Sequence, residues 1–201
     1  MSILFFRYTF MAQQTIDDNS LLESLFEIFR NRGYEGTTIS QLSEMTGLKK
    51  SSLYHRFPAG KDDMVKAVVR YVSAQLHQHI IGPLLDSQEA PEKRFSDMLA
   101  TVKAIYSDGR KNCLLNVLNL GDAKDDIKAL LNRDYQDWIA ALAKLGLEVG
   151  MDPQEAAIWS GHFLTIVQGA LVIQRLTGDA STFGNCMEYE QKQFLKRCNK
   201  P

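Results

Sequence analysis

Amines, hydroxyls and an imidazole are concentrated in one short stretch of this chain, which contains Lys49, Lys50, Ser51, Tyr54 and His55. Side chains of these types bind phosphate oxygens as cations or donors, and they meet the donors and acceptors on base edges in a major groove. The stretch therefore predicts a nucleic-acid contact surface, provided that the surrounding chain holds these groups on one exposed face.

The residues before this stretch predict a short helix. Thr38 and Gln41 form a T-x-x-Q capping box at its start. Ile39, Leu42 and Met45 follow at spacings of three, which indicates an apolar side that faces a core.

The residues that follow predict a tight turn and a second helix. Gly47 suits the left-handed residue that ends a helix, and Leu48 after it can pack back onto the first helix. In the second helix, Leu53 and Phe57 lie four apart on the inner face, and Pro58 prevents further helix. The pattern is typical of a DNA-reading helix-turn-helix. The alternative is an ordinary helical hairpin whose exposed face is merely polar.

With these elements in place, the segment resembles the amino-terminal signature of TetR-family transcriptional regulators. The matching residues are Gly33-Tyr34-Glu35-Gly36-Thr37-Thr38, then Ile39, Gly47 and Leu53-Tyr54-His55-Arg56-Phe57. The resemblance spans residues 21–69, and the stretch F-P-A-G-K at 57–61 is similar to a subgroup with one extra residue before the lysine that opens the fourth helix. It implies an all-α fold of about nine helices: a three-helix helix-turn-helix DNA-binding domain and a helical ligand-binding and dimerisation domain.

The resemblance also implies which side chains contact double-stranded operator DNA. The residues nearest to bases would be Lys50, Ser51 and Ser52, and phosphates would be contacted by Thr38, Tyr54, His55 and Lys61. Lys49 adds a cation beside the DNA backbone. Two alternatives stay open: Lys50 acts only as a phosphate clamp, or the Tyr54 ring packs on the first helix and its hydroxyl is simply solvated.

Three features depart from the family pattern. Lys49 replaces the usual serine or threonine cap of the recognition helix, a loss typically worth about 1 kcal/mol. Ser51 stands where many members have glycine or alanine. Asp17 and Asp18 occupy the start of helix one, where acidic groups suit capping but repel DNA. Helix one is therefore expected to support the fold rather than to bind phosphate.

Composition favours a cytoplasmic regulator with locally placed positive charge. The formal net charge is -1, so overall basicity does not indicate a nucleic-acid partner. The local cations are Lys49, Lys50, Arg56 and Lys61. Arg30 and Arg32 lie nearby and either add to this positive surface or only complement the carbonyl end of their own helix.

The cysteines and histidines give no sign of a metal site. The three cysteines, Cys113, Cys186 and Cys198, are far apart and odd in number, which indicates reduced intracellular thiols. His77 and His79 are two apart and point to different faces of a predicted helix. We therefore expect neither a metal nor a cofactor.

The hydrophobic stretches predict no membrane partner, since we expect them to be interrupted before about 18 residues. The opening MSILFFRYTFM lacks a basic region and a cleavage site, so a signal peptide is not expected. Residues 1–16 are interpreted as an N-terminal extension, either a translated segment before a start at Met11 or a loosely ordered arm.

Beyond Lys61 the pattern predicts successive helices. A fourth helix with an apolar stripe runs to about Ile81, ends near Gly82-Pro83 and links the two domains, which we place at residues 17–64 and 65–201. Further helices are expected at 92–107, 113–120, 126–147, 153–177 and 182–197.

The helix at 153–177 is apolar around most of its circumference, so it must be covered on two sides. The resemblance implies that the last two long helices form a homodimer interface; the alternative is a central core helix in a monomer.

The resemblance implies a cavity for a small, mostly apolar effector in the second domain, and the candidates for lining it are large or polar residues on apolar faces. They are Met98, Val102, Tyr106, Tyr135, Trp138, Trp159, His162 and Phe163. Each has the alternative of plain core packing. The resemblance thus implies a ligand-responsive repressor that binds a pseudo-palindromic operator as a dimer. A different reading is a small helical enzyme or binding protein that uses this cavity, although no catalytic triad, carboxylate pair or phosphate loop is evident and no catalytic residue is assigned.

Overall fold

The computed structural model describes residues 17–119 and 124–199, so the predicted N-terminal extension lies outside the described residues. All regular elements in these two ranges are helical, which confirms the predicted fold class. There are ten α-helices and one π-helical turn.

The first three helices form the predicted helix-turn-helix unit. They are α1 (Asp18–Arg32), α2 (Ile39–Thr46) and α3 (Lys50–Arg56). Asp17 caps α1 by accepting from the backbone N–H of Ser20 at 3.0 Å. The capping box of Thr38 and Gln41 is present at the start of α2, and Gly47 ends this helix in the left-handed region with φ 70°.

One part of the predicted α2 pattern is wrong. Leu42 is fully buried, but the Met45 side chain is 53% exposed. Three residues advance an α-helix by about 300° rather than a full turn, so two such steps carry Met45 around to the solvent side.

The long helix α4 (Lys61–Leu76) joins this unit to the rest of the chain. It buries Val65, Val68 and Val69, as its apolar stripe predicts. It does not stop at Gly82-Pro83, because a π-helical turn (His77–Ile81) and a short helix α5 (Gly82–Leu85) continue it. Proline lacks an N–H, and Pro83 directly follows the π-helical turn, where the α-helical hydrogen-bond pattern is already interrupted because Gly82 N–H donates to the His77 carbonyl. If these three segments are counted together, the described residues form nine helices, as expected.

The remaining helices are α6 (Pro91–Ile105), α7 (Leu114–Asn119), α8 (Asp125–Glu148), α9 (Pro153–Thr177) and α10 (Thr182–Cys198). Helix α9 packs between α8 and α10. Gln174 of α9 fixes two neighbouring segments, because its side chain donates to the carbonyl of Asp108 at 2.9 Å and accepts from the N–H of Phe183 at 2.8 Å. Gly109 has φ +84°, and a Cβ there would lie 2.6 Å from Gln174 Nε2.

The buried side chains form two hydrophobic clusters. One lies among α5, α6, α8, α9 and α10. The other unites the first four helices with Leu114 and Leu118 of α7 and with Ile127 and Leu131 of α8. The helix-turn-helix unit therefore shares its core with two helices from the second half of the chain.

Helix α9 contradicts the expectation that no segment is long and apolar enough to cross a membrane. It has 25 residues, and an 18-residue window within it has mean hydropathy 1.5. Its interruptions are serine, glycine, histidine, threonine and glutamine, and no Asp, Glu, Lys or Arg lies between Glu155 and Arg175. Only 39% of the window is buried, so one side of this apolar helix remains uncovered in the single chain.

Candidate nucleic-acid interface and adjoining cavity

Helix α3 presents the side chains that the sequence singled out. Lys49, Lys50, Ser51 and His55 are exposed and Ser52 is partly buried, while Leu53 is fully buried beneath them. Lys49 precedes α3 without a side-chain capping hydrogen bond, as predicted. Helix α3 therefore exposes amines, hydroxyls and an imidazole to solvent while Leu53 packs its other side into the core.

Two of the predicted phosphate-contacting residues already have partners within the protein. Lys61 Nζ donates to the carbonyls of Tyr34 at 2.7 Å and Thr37 at 3.1 Å, and it lies 4.0 Å from the Tyr34 ring centroid. The Thr38 hydroxyl accepts from Gln41 N–H in the capping box at 3.3 Å. Lys61 therefore fastens the α1–α2 loop to the start of α4.

Tyr54 is half exposed, and its ring packs against the loop before α4. Gly60 has φ +67°, and a Cβ there would lie 3.2 Å from Tyr54 Cε1 and press against the ring. This packing fixes the orientation of the Tyr54 ring.

The positive charge near α3 is smaller than the count of basic residues suggests. Arg56 pairs with Asp18 of α1 at 2.9 Å. Arg30 is only 2% exposed; its guanidinium lies 4.7 Å from the centroid of the Phe26 ring and pairs with Glu27 at 2.8 Å. Arg30 is therefore part of the interior.

Ion pairs connect the helix-turn-helix unit to the start of α8. Lys124 donates to the Asp62 carboxylate, and the Tyr34 hydroxyl donates to the same group. The Lys124 and Tyr34 hydrogen bonds lower the pKa of Asp62, while burial and Asp62 raise the pKa of Tyr34 to about 12. Lys66 of α4 also pairs with Asp126 at 2.6 Å. A displacement of α8 would therefore act directly on the start of α4.

A cavity of about 720 Å³ lies where α1, α4, α6, α8 and α9 meet. Its apolar wall includes Leu76, Ile80, Leu131 and Leu164. A cavity of this size and character suits a small organic molecule.

Two buried polar atoms in the cavity wall, Trp138 Nε1 and Gln168 Oε1, have no hydrogen-bond partner among the described residues. The Tyr106 hydroxyl donates to Cys113 Sγ at 3.3 Å, and burial followed by the neighbouring thiol raises the pKa of Tyr106 well above its ordinary value. The wall therefore offers an unpaired donor and an unpaired acceptor in mostly apolar surroundings, and buried polar groups normally have partners.

The structure brings Tyr106, Tyr135 and Trp138 together in this wall. The other five candidates lie elsewhere. Met98, Val102 and Phe163 are core residues, Trp159 stacks on Phe194, and His162 is exposed.

Helix α1 contributes residues to the cavity that the sequence reasoning missed. They are Ser20, Glu23, Ser24, Phe26, Glu27 and Arg30. One residue in the sequence could have predicted this. Phe26 lies outside the apolar stripe of Leu21, Leu25 and Ile28, so it indicates that a second side of α1 is covered.

Comparison with known proteins agrees with this architecture. Residues 21–68 match the family model described as "Bacterial regulatory proteins, tetR family". The chain is 32% identical over 167 residues to the HTH-type transcriptional regulator LmrA of Bacillus subtilis, covering 81% of this chain and 87% of LmrA. It is 23% identical to the HTH-type transcriptional repressor DhaR of Mycobacterium sp. (strain GP1), covering 78% of this chain and 81% of DhaR.

A solved structure shows the same fold. The TetR transcriptional regulator from Legionella pneumophila superposes with a TM-score of 0.78 at 15% identity, covering 90% of this chain and 98% of that one. An exposed recognition helix on a helix-turn-helix scaffold, the family-model match and the extended similarity to LmrA lead to one conclusion: the chain belongs to the TetR family and is a DNA-binding transcriptional regulator.

Proposed function

We propose that this regulator is a cytoplasmic, homodimeric repressor that leaves its operator when a small, mostly apolar molecule fills the cavity. One observation carries the proposal: α4 starts beside the recognition helix and lines the cavity through Tyr71, Val72 and Leu76, while α1 forms another part of the wall. A molecule in the cavity would therefore touch two helices that hold α3. Such a molecule shifts the balance between the operator-binding conformation and the released one only to the extent that it binds the released conformation more tightly.

For DNA contact we propose two groups of residues. Lys50, Ser51 and Ser52 face the bases, with Lys49 beside the backbone; Tyr54, His55, Lys61 and Thr38 lie toward phosphates. Lys61 and Thr38 have internal partners, so we assign them mainly to positioning the backbone N–H groups of α2 and α4. Residues 17–64 form the DNA-binding domain and residues 65–201 the effector and dimerisation domain, with a shared core at the boundary.

For the dimer we propose the exposed side of α9 together with α10. Ile158 and Leu176 are 66% and 78% exposed, and Val172 lies between them on the same side. Gly161 and Gly169 also face open space, which allows a second helix to approach closely. Covering this apolar side with a second copy would account for the uncovered face of α9 without a membrane.

For the effector we propose contacts with Tyr106, Tyr135 and Trp138, and a hydrogen-bonding group that meets Trp138 Nε1 and Gln168 Oε1. We propose no enzymatic activity. The cavity-lining Glu27 is engaged with Arg30 and Lys111, so it serves as an ion-pair partner and not as a free base.

A footprinting experiment on promoter DNA tests the DNA-binding proposal. Two protected half-sites should appear with centres about 34–36 Å apart, because a dimer places its recognition helices in successive major grooves. Protection of one half-site, or of DNA without two-fold sequence symmetry, would contradict the dimeric mode.

Effector dependence is tested separately by titrating candidate apolar compounds into the protein–operator complex. A compound that binds the free protein and releases DNA supports the proposal, and Trp138→Phe should weaken its binding by removing the Nε1 donor. If compounds bind in the cavity and leave operator affinity unchanged, the repressor is not controlled through this cavity.

A further inference from the structure

A histidine and two aspartates from distant parts of the sequence meet between α4 and α8. His77 begins the π-helical turn after α4, and Asp134 and Asp137 lie one turn apart on α8. One ligand atom of each residue lies within 4.8 Å of the other two. Asp134 also lines the cavity, whereas the proposed DNA-binding face and the proposed dimer interface include none of the three residues.

The imidazole nitrogen of this cluster lies beside a carboxylate without forming a well-aligned hydrogen bond to it. His77 Nε2 lies 3.3 Å from Asp137 Oδ2, yet this buried atom has no hydrogen bond among the described residues. Ser73 Oγ donates to Asp134 Oδ1 at 2.6 Å and orients that carboxylate. Arg133 lies near the cluster, with its Nε 4.0 Å from Asp137 Oδ2, and its side chain is largely exposed.

The charges in the cluster are unbalanced. Asp134 is 7% exposed, and a carboxyl group so deeply buried normally holds a proton, pairs with a cation or ligates a metal. Its neighbour on the same face of α8 is a second carboxylate. A neutral imidazole whose lone pair faces two carboxylates is repelled by them, and a protonated one supplies a single positive charge against two negative charges. A divalent cation between the three groups balances both carboxylates and accepts the lone pair.

We propose that His77, Asp134 and Asp137 bind a divalent first-row transition-metal ion that links α4 to α8. The donor set supports this class, because imidazole nitrogen favours such ions over Ca²⁺ or Mg²⁺ and carboxylate oxygens complete a mixed N/O site. Water occupies the remaining positions.

The geometry requires only a small adjustment to close around an ion. Metal–nitrogen and metal–oxygen distances in such sites are about 2.0–2.2 Å, so ligand atoms must converge from the present separations. The His77 and Asp137 side chains are each 41% exposed and can rotate. Asp134, which Ser73 already holds, supplies the fixed ligand. The Ser73 hydrogen bond resembles the outer contacts that orient ligands at other metal sites.

Zinc binding to the chelator-treated full-length protein tests the site by isothermal titration calorimetry. We expect one Zn²⁺ per protomer. His77→Gln and Asp137→Asn should each weaken binding by at least about 10-fold, since even outer contacts at metal sites are worth 10- to 100-fold. His79→Gln is the matched histidine control on the same π-helical turn, and Asp125→Asn is the matched aspartate control on α8; both should bind Zn²⁺ like the unaltered chain.

A Co²⁺ derivative of the unaltered chain separates this site from adventitious binding to Cys113, Cys186 or Cys198. We expect a visible d–d spectrum without a thiolate charge-transfer band. Three results would each overturn the proposal: no Zn²⁺ binding at micromolar concentration, binding that both substitutions leave unchanged, or a Co²⁺ spectrum dominated by thiolate ligation. Circular dichroism of the metal-free variants establishes that each is folded.

Discussion

The salt dependence of operator binding follows from how the basic residues near α3 are engaged. Arg56 pairs with Asp18, and Lys61 is hydrogen-bonded to backbone carbonyls. Lys49 and Lys50 are exposed and have no ion pair among the described residues. We expect Lys50 to reach a phosphate as well as a base edge, so two available cations in each protomer of a dimer neutralise about four phosphates. Counterion release then gives a slope of log K against log salt of about -3.6, at about 0.9 for each phosphate.

Replacing Lys50 with alanine removes one cation from each protomer and should reduce the slope to about -1.8. Between 50 and 200 mM salt, the affinity of the unaltered dimer should fall about 150-fold and that of Lys50→Ala about 12-fold. Fluorescence anisotropy with a labelled operator at four or more salt concentrations measures both slopes. Lys144→Ala, an exposed lysine on the second half of α8, is the matched control and should leave the slope unchanged.

Two results would refute this reasoning. An unaltered slope in Lys50→Ala means that Lys50 does not neutralise a phosphate. A slope near -7 for the unaltered protein means that about eight phosphates are contacted, so that Arg56 and Lys61 leave their internal partners when DNA binds.

Three further predictions concern the fold, the pH dependence and the assembly. Gly109→Ala should lower the free energy of unfolding by about 2–5 kcal/mol in chemical denaturation, because strain at positive φ adds to overpacking. Gly150→Ala, also at φ +84° but with no atom within 4 Å of the new Cβ, should show the strain alone, and equal losses would contradict the packing argument. Burial raises the pKa of Glu190, so the folded state holds a proton that the unfolded state releases, and stability falls as pH rises through the folded pKa. Glu190→Gln should therefore be more stable than the unaltered chain at pH 8, with a difference that shrinks toward pH 4 in pH-dependent melts; a constant difference would show that titration is not the cause. Ile158→Glu should convert the dimer to monomer in sedimentation velocity, whereas Leu85→Glu, which alters an exposed leucine on α5, should not; a dimeric Ile158→Glu would exclude this face of α9 as the interface.

Much of the helix-turn-helix was predictable because its determinants are local. The Thr38–Gln41 capping box and Gly47 act over three or four residues, and both are present as expected. Where prediction failed, the cause was geometric or tertiary. Met45 was assigned from a spacing of three that drifts around a helix, and α4 continues past Gly82 because a π-helical turn accommodates the Gly-Pro pair.

The cavity was less predictable, since its wall depends on how distant helices cross. Aromatic residues on apolar faces identified Tyr106, Tyr135 and Trp138, but the same criterion also selected Phe163, which packs in an edge-to-face arrangement with Phe95. Periodicity shows that a face is covered and does not show what covers it. The meeting of His77 with Asp134 was hidden for the same reason, because more than fifty residues separate them along the chain.

The participation of α1 in the cavity wall limits how this regulator can diversify. Ser20, Ser24 and Phe26 belong to the helix that supports the DNA-reading unit, and they also shape the space offered to a ligand. Under the proposed function, a substitution of a cavity-lining α1 residue would change both the space for an effector and the support of α3. We therefore expect operator binding and effector selectivity to change together through α1, and an exchange of domains at the α4 boundary to disturb both.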